Sequence, residues 1–143
     1  MPIAHLNIGS NQGDRQGNIS LAVSLIDKQA GHVLAVSDPV ESPPWGYDSA
    51  NPFINVGINI DTSLTPFDLL DTLQAIERQI SPNPHRNPDG TYRDRVIDID
   101  IILYGDVHIT TPRLTIPHPL MHQRPFVLSP LRQLTPPPQQ RTR

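Results

Sequence analysis

The stretch Arg95-Val96-Ile97-Asp98-Ile99-Asp100-Ile101-Ile102-Leu103-Tyr104 sets two acids inside an otherwise apolar run. Read as a strand, it has side chains two apart on a shared face. Ile97, Ile99, Ile101 and Leu103 are then expected on one side and Asp98 and Asp100 on the other. The two carboxylates stand roughly 7 Å apart at Cα. Aspartate is a poor strand former, and two acids on one face repel unless a cation lies between them. An alternating strand with one wet face accounts for the pattern equally well. On either reading the chain must build a sheet with one face on a core and the other open to water or to a ligand.

The rest of the chain supplies the partners of that strand. Pro2 to Ile8 alternates and runs into Gly9-Ser10-Asn11-Gln12-Gly13-Asp14, so a first strand ends in a glycine turn. Ile19, Ala22, Val23 and Ile26 then fall at i, i+3, i+4 and i+7, which predicts a helix stopped by Gly31. The turn between them lacks the Gly-Lys-Ser/Thr ending of a P-loop. His32 to Ser37 reads as a short strand, followed by a loop from Asp38 to Gly46 stiffened by Pro39, Pro43 and Pro44.

Phe53 to Asp61 is a central strand, with Ile54, Val56, Ile58 and Ile60 on one face and Phe53, Asn55, Gly57 and Asn59 on the other. Phe53 beside Asn55 could stack on and hydrogen-bond a flat heterocycle, or could simply lie under a loop. Thr65 as N-cap, Pro66 and Asp68 open a second helix whose buried stripe is Leu69, Leu70, Leu73, Ile76 and Ile80. An irregular loop from Ser81 to Arg93 feeds the acidic strand. Gly105-Asp106 then turns the chain into Val107-His108-Ile109, expected as a hairpin partner. Val127 to Leu134 is expected to end in a short helix.

The order strand, helix, strand, strand, helix, strand is that of a ferredoxin-like α+β sandwich. Such a fold is a βαββαβ antiparallel sheet with both helices on one face, here with extra C-terminal elements. Its 143 residues make one domain, 1–143, with 135–143 expected as a frayed proline-rich tail. The 17 prolines shape loops between periodic segments.

Composition excludes several functions. No cysteine is present, which removes disulfides, thiolate metal sites and a cysteine nucleophile. The net charge of −3 is spread through the chain, unlike the basic footprint of a nucleic-acid binder. No apolar run is long enough to span a bilayer and no signal sequence is evident, so a soluble, cytoplasmic protein is expected.

Two carboxylates without cysteine suit a hard, oxygen-loving cation such as Mg²⁺, which takes one or two carboxylates plus water and substrate phosphate. Arg86, Arg93 and Arg95 precede the acidic strand and Arg113 and Arg124 follow it, an arrangement suited to a polyphosphate clamp. His118 and His122 at i, i+4 offer a zinc alternative, which the prolines around His118 disfavour.

Taken in order, six pieces resemble a known family. They are Gly9-Ser10-Asn11, Pro43-Pro44-Trp45-Gly46, Phe53-Ile54-Asn55, Arg95 through Tyr104, Arg113-Leu114-Thr115-Ile116-Pro117-His118, and Arg124-Pro125-Phe126-Val127-Leu128. The ordered set is similar to the 6-hydroxymethyl-7,8-dihydropterin pyrophosphokinases of folate biosynthesis, over nearly the whole chain. The resemblance implies a ferredoxin-like core, a monomer, and transfer of pyrophosphate from ATP to the pterin hydroxymethyl group with release of AMP.

By position, Asp98 and Asp100 resemble the pair that holds two Mg²⁺ ions. Phe53 and Phe126 resemble the rings that sandwich the pterin, with Asn55, Ser42, Pro43, Pro44 and Asp98 around them. Trp45 stands at a loop position that often carries an aliphatic residue. Gln74, the backbone at Ile101, Arg113, Thr115 and His118 resemble the ATP side, and Arg95 and Arg124 its phosphate contacts. Arg86 stands for a mobile arginine and Tyr92 for an aromatic of the closing loop. Glu77 matches a family position without an assigned role.

The run Ser81-Pro82-Asn83-Pro84-His85-Arg86 and the segment Tyr92-Arg93-Asp94 depart from the usual pattern, as does the short tail. A pterin- or nucleotide-binding module without catalysis, and a metal-dependent phosphohydrolase, are the competing expectations.

Overall fold

The structure, a computed structural model, describes residues 2–42, 52–81, 96–119, 130, 133 and 134. Its elements are β1 (Ile3–Ser10), α1 (Arg15–Gln29), β2 (His32–Val36), β3 (Val40–Ser42), β4 (Phe53–Asp61), α2 (Pro66–Ile80), β5 (Asp98–Tyr104), β6 (Ile109–Thr110) and β7 (Thr115–Ile116). The main sheet runs β2-β4-β1-β5, every described pairing is antiparallel, and β3 joins the same edge of β4 as β2. The expected ferredoxin-like arrangement is therefore present.

Local chemistry explains both helices. Asp14 caps α1 by accepting the Gly17 amide at 3.1 Å, and Thr65 caps α2 by accepting the Asp68 amide at 3.2 Å, with Pro66 in the first turn. Ile19, Ala22 and Ile26 from α1 and Leu69, Leu73 and Ile76 from α2 are buried against the sheet face built by Ala4, Leu6, Ile8, Val56, Ile58 and Ile60. Leu70, Ile80 and Val23, expected in the same stripes, pack only partly buried at the margin. Apolar burial of this kind contributes about 25 cal/mol per Å² removed from water, and it fixes which sheet face remains for other uses.

Three local expectations are corrected. Val40–Ser42, read as loop, is a strand: β2 and β3 form one interrupted strand along β4. The interruption falls at Ser37 to Pro39. There Ser37 takes over the ladder, its amide donating to the Gly57 carbonyl and its hydroxyl accepting the Gly57 amide, each at 2.8 Å. Proline has no amide to contribute, so the pairing resumes only beyond it.

Leu103 does not share a face with Ile99 and Ile101. The register steps between His5 and Leu6, where Ile101 opposes Leu6 but Leu103 opposes His5, leaving Ile102 as the extra residue of a bulge. The bulge turns Tyr104 into the core, where its hydroxyl donates to the Leu64 carbonyl, and sends Leu103 to the opposite face.

Val107–Ile109 does not pair with β5. Gly105, at a φ of 51°, directs the chain off the sheet, and Ile109–Thr110 pairs with Thr115–Ile116 in a separate hairpin. That hairpin is anchored to the outer edge of β5 by the His118 amide, which donates to Ile102 at 2.9 Å. The short C-terminal helix is consistent with helical Pro130, Gln133 and Leu134, while the 135–143 tail lies outside the described residues.

Candidate active site

The sheet face away from the helices is organised in rows, because antiparallel partners project to the same side. Asn55, Gly9 and Asp98 form one row across β4, β1 and β5. Gly57, Asn7 and Asp100 form the next, and Asn59, His5 and Leu103 the third. Neighbouring strands lie about 4.8 Å apart, so Asn55 and Asp98 face the same space across about 10 Å. Phe53 stands two residues before Asn55 on the same face of β4.

The aspartates are half-buried, and Phe53 and Asn55 are buried at 9% and 2% exposure. An oriented amide and ring at one end thus meet two carboxylates at the other. The Asn55 amide group donates to the Val40 carbonyl of β3 at 3.2 Å, which fixes its orientation.

Two carboxylates on one strand fit a Mg²⁺ site, since that ion completes its octahedron with water and substrate phosphate oxygens. Among the described residues no cluster of three or more His, Cys, Asp or Glu groups could hold a metal by itself. The zinc alternative joined His118 to His122. His122 lies outside the described residues.

The outer edge of β5 is the second part of the site. Glu77 of α2 accepts the Ile99 amide on its Oε2 at 2.7 Å, between the two aspartates. Strand alternation turns the backbone of Ile101 toward the same outer edge. Gln74, one turn before Glu77 on α2, is half-buried. Arg113 reaches back from the β6–β7 connection to pair with Asp71 of α2, both side chains about half exposed. Thr115 opens β7, its hydroxyl donating to the Thr111 carbonyl at 3.3 Å, and His118 follows the hairpin. The ATP-side candidates Gln74, Ile101, Arg113, Thr115 and His118 therefore collect around one edge of the sheet, while Phe53 and Asn55 sit across the sheet face from it.

Arg86, Tyr92, Arg95, Arg124, Phe126, Pro43, Pro44 and Trp45 lie outside the described residues, and Ser42 is described only in its backbone. Glu77, Asp71, Asn7 and Gly9 are the positions for which sequence reasoning assigned no role. Glu77 follows Gln74 by three residues and so shares its helix side, the one signal that could have joined it to the edge of β5.

Farther along the same face His5 is 3% exposed, with its Nδ1 2.8 Å from the Asn59 Oδ1 and its Nε2 without a hydrogen-bond partner among the described residues. Burial lowers its pKa from the ordinary histidine value, and the Asn59 contact opposes that shift. Gly57 leaves room for the ring and for Pro130, either of which a Cβ there would meet within 3.0 Å.

The family model described as 7,8-dihydro-6-hydroxymethylpterin-pyrophosphokinase (HPPK) matches residues 5–136. A 2-amino-4-hydroxy-6-hydroxymethyldihydropteridine pyrophosphokinase of Porphyromonas gingivalis is 40% identical over 137 residues, covering 95% of this chain and 92% of the relative. That of Bacillus subtilis is 38% identical over 133 residues, covering 92% of this chain and 77% of the relative. Among solved structures, wild-type HPPK-DHPS of Plasmodium falciparum superimposes with a TM-score of 0.72 at 16% identity. The match covers 95% of this chain and 40% of that longer one, and it bears on the fold alone. The chain belongs to the 7,8-dihydro-6-hydroxymethylpterin-pyrophosphokinase family.

Proposed function

We propose that this protein transfers pyrophosphate from ATP to the hydroxymethyl group of 6-hydroxymethyl-7,8-dihydropterin, releasing AMP, as a cytoplasmic monomer in folate biosynthesis. The observation that carries the reading is the row Asn55, Gly9, Asp98, which aligns a heterocycle-reading amide with a carboxylate on one sheet face. The pterin ring would lie on Phe53, its edge hydrogen-bonded to the Asn55 carboxamide and its hydroxymethyl arm directed toward β5. Phe126, with the loop at Ser42, Pro43, Pro44 and Trp45, would complete the ring's enclosure. Gln74, the Ile101 backbone, Thr115 and His118 would hold the nucleoside end of ATP at the β5 edge, with Arg113 beside them.

Asp98 and Asp100 would hold two Mg²⁺ ions with the triphosphate. The chemistry supplied by the bound cations is neutralisation of phosphate charge and a lowered pKa for the hydroxyl. In the transfer, the hydroxymethyl oxygen forms a bond to the β-phosphorus. The bond from that phosphorus to the oxygen bridging the α-phosphate breaks in line, the hydroxyl proton leaves to solvent, and AMP departs. Arg95, Arg124 and Arg86 would balance the charge that develops on the transferring group. Closure of the 81–95 loop would exclude water, which otherwise competes as acceptor.

The test is AMP production from ATP, with pterin and Mg²⁺ each omitted in turn. Formation of AMP only when both are present supports the proposal. Phosphate release without pterin would mean a hydrolase, and ligand binding without AMP a non-catalytic module. A folded Asp98→Ala protein forming AMP at a near-normal rate would refute the metal role.

A further inference from the structure

We infer that Gly9 and Arg15 are positioning residues that set the Phe53–Asn55 end of β4 for pterin recognition, an inference that rests on the functional reading above. Among glycines of the described residues only Gly13 and Gly105 take a positive φ, so Gly9 is not required by its backbone conformation. What matters there is the missing side chain. A Cβ at Gly9 would stand 2.9 Å from the Asn55 Oδ1 and 3.3 Å from the Phe53 Cδ1. The first distance is inside any normal contact, and the second forces the ring to give way.

Asn55 is thus confined from two directions. Val40 of β3 takes its amide group at 3.2 Å, and the bare backbone of Gly9 admits its carbonyl oxygen from the β1 side. A carboxamide reads a heterocycle edge through the placement of one donor and one acceptor, so rotating it exchanges or removes the match. Adding a methyl group at position 9 pushes on the oxygen and breaks that placement without touching a charged group.

Arg15 fixes the same end of β4 from the first turn of α1. Its Nη1 donates to the Pro52 carbonyl at 2.9 Å, immediately before Phe53. Asn18 of the same helix ties the turn together, its amide donating to the Gln12 carbonyl at 3.0 Å and the Ser10 hydroxyl at 3.4 Å. The β1–α1 turn is thereby tied to the backbone immediately before Phe53. Neither residue needs to touch the nucleotide.

The test compares wild type, Gly9→Ala, Arg15→Ala and Arg15→Lys in the full chain. The readouts are KM for pterin, KM for ATP, pterin binding by calorimetry with Mg²⁺ and a non-hydrolysable ATP analogue, and Tm. Gly9→Ala is expected to raise the pterin KM about ten-fold or more, as displacement of a positioned group does, with the ATP KM unchanged. Arg15→Ala should raise the pterin KM by about five-fold, and Arg15→Lys should recover part of the loss. Equal rises in both KM values, or unchanged pterin binding in both alanine variants, would overturn the inference while leaving the functional reading intact. Wild type that binds no pterin would overturn both. Should Gly9→Ala fail to fold, the pair of Arg15 variants decides by the same KM split.

Discussion

Replacing Glu77 tests whether the two aspartates depend on an anchor from the opposite side of the sheet. Its carboxylate accepts the Ile99 amide at 2.7 Å on the outer edge of β5, and Ile99 lies between Asp98 and Asp100. A hydrogen bond to a charged group is worth about 1.5–3 kcal/mol, and a half-buried site places this one near about 1.5 kcal/mol. At about 3–5 °C per kcal/mol for a chain of this size, Glu77→Ala should lower Tm by about 5–7 °C.

Glu77→Gln keeps an acceptor without charge and should lose about half as much, because charge-assisted bonds are roughly twice as strong as neutral ones. The released strand edge also lets the carboxylates drift, and a shift of about 1 Å at a reacting centre can cost about 10²-fold in rate. Thermal denaturation followed by circular dichroism gives the first number, and steady-state AMP formation across a Mg²⁺ titration gives the second. Glu77→Ala with Tm within about 1 °C of wild type and an unchanged Mg²⁺ dependence would refute the anchoring argument.

Asp100→Asn keeps shape and removes charge, so it should fold normally and lose about 10²–10³-fold or more in turnover, read by coupled AMP assay beside circular dichroism. Leu73, 1% exposed under the sheet, should cost about 2–5 kcal/mol on truncation to alanine, measured by urea denaturation. His5 makes a pH prediction. Its folded pKa lies below the unfolded value of about 6.5, so the unfolded chain binds the extra proton first. The His5 contribution is therefore fully present above about pH 6.5 and is lost as pH falls toward the lowered value. His5→Gln should flatten the drop in urea midpoint between about pH 7.5 and 5.5, and an unchanged slope would show that the ring is not buried as neutral imidazole.

Much of this protein is legible in its sequence. Period located α1, α2, β1, β4 and β5, and Thr65 with Pro66 marked the start of α2, because a cap acts through its nearest neighbours and alternation is a property of the backbone. The ordered motifs identified the family, and strand alternation put Asp98, Asp100, Phe53 and Asn55 on the face away from the helices. Where reading the sequence went astray, the cause was an interaction between segments. The strand at Val40–Ser42 exists because β4 pairs with it, the bulge at Ile102 is a mismatch of two registers, and β7 rather than Val107–Ile109 takes a place beside β5.

The sequence by itself determined which residues of the central strands alternate to the two faces and that two carboxylates share one, since both follow from a period of two. Tertiary structure alone decided that Gly9 lies between Asn55 and Asp98, and that a glutamate from α2 reaches the amide between the aspartates. It also decided that Arg15 grips the residue before Phe53. Those relations join positions 22 to 89 residues apart, and they depend on strand register and helix placement, which only the packed core fixes.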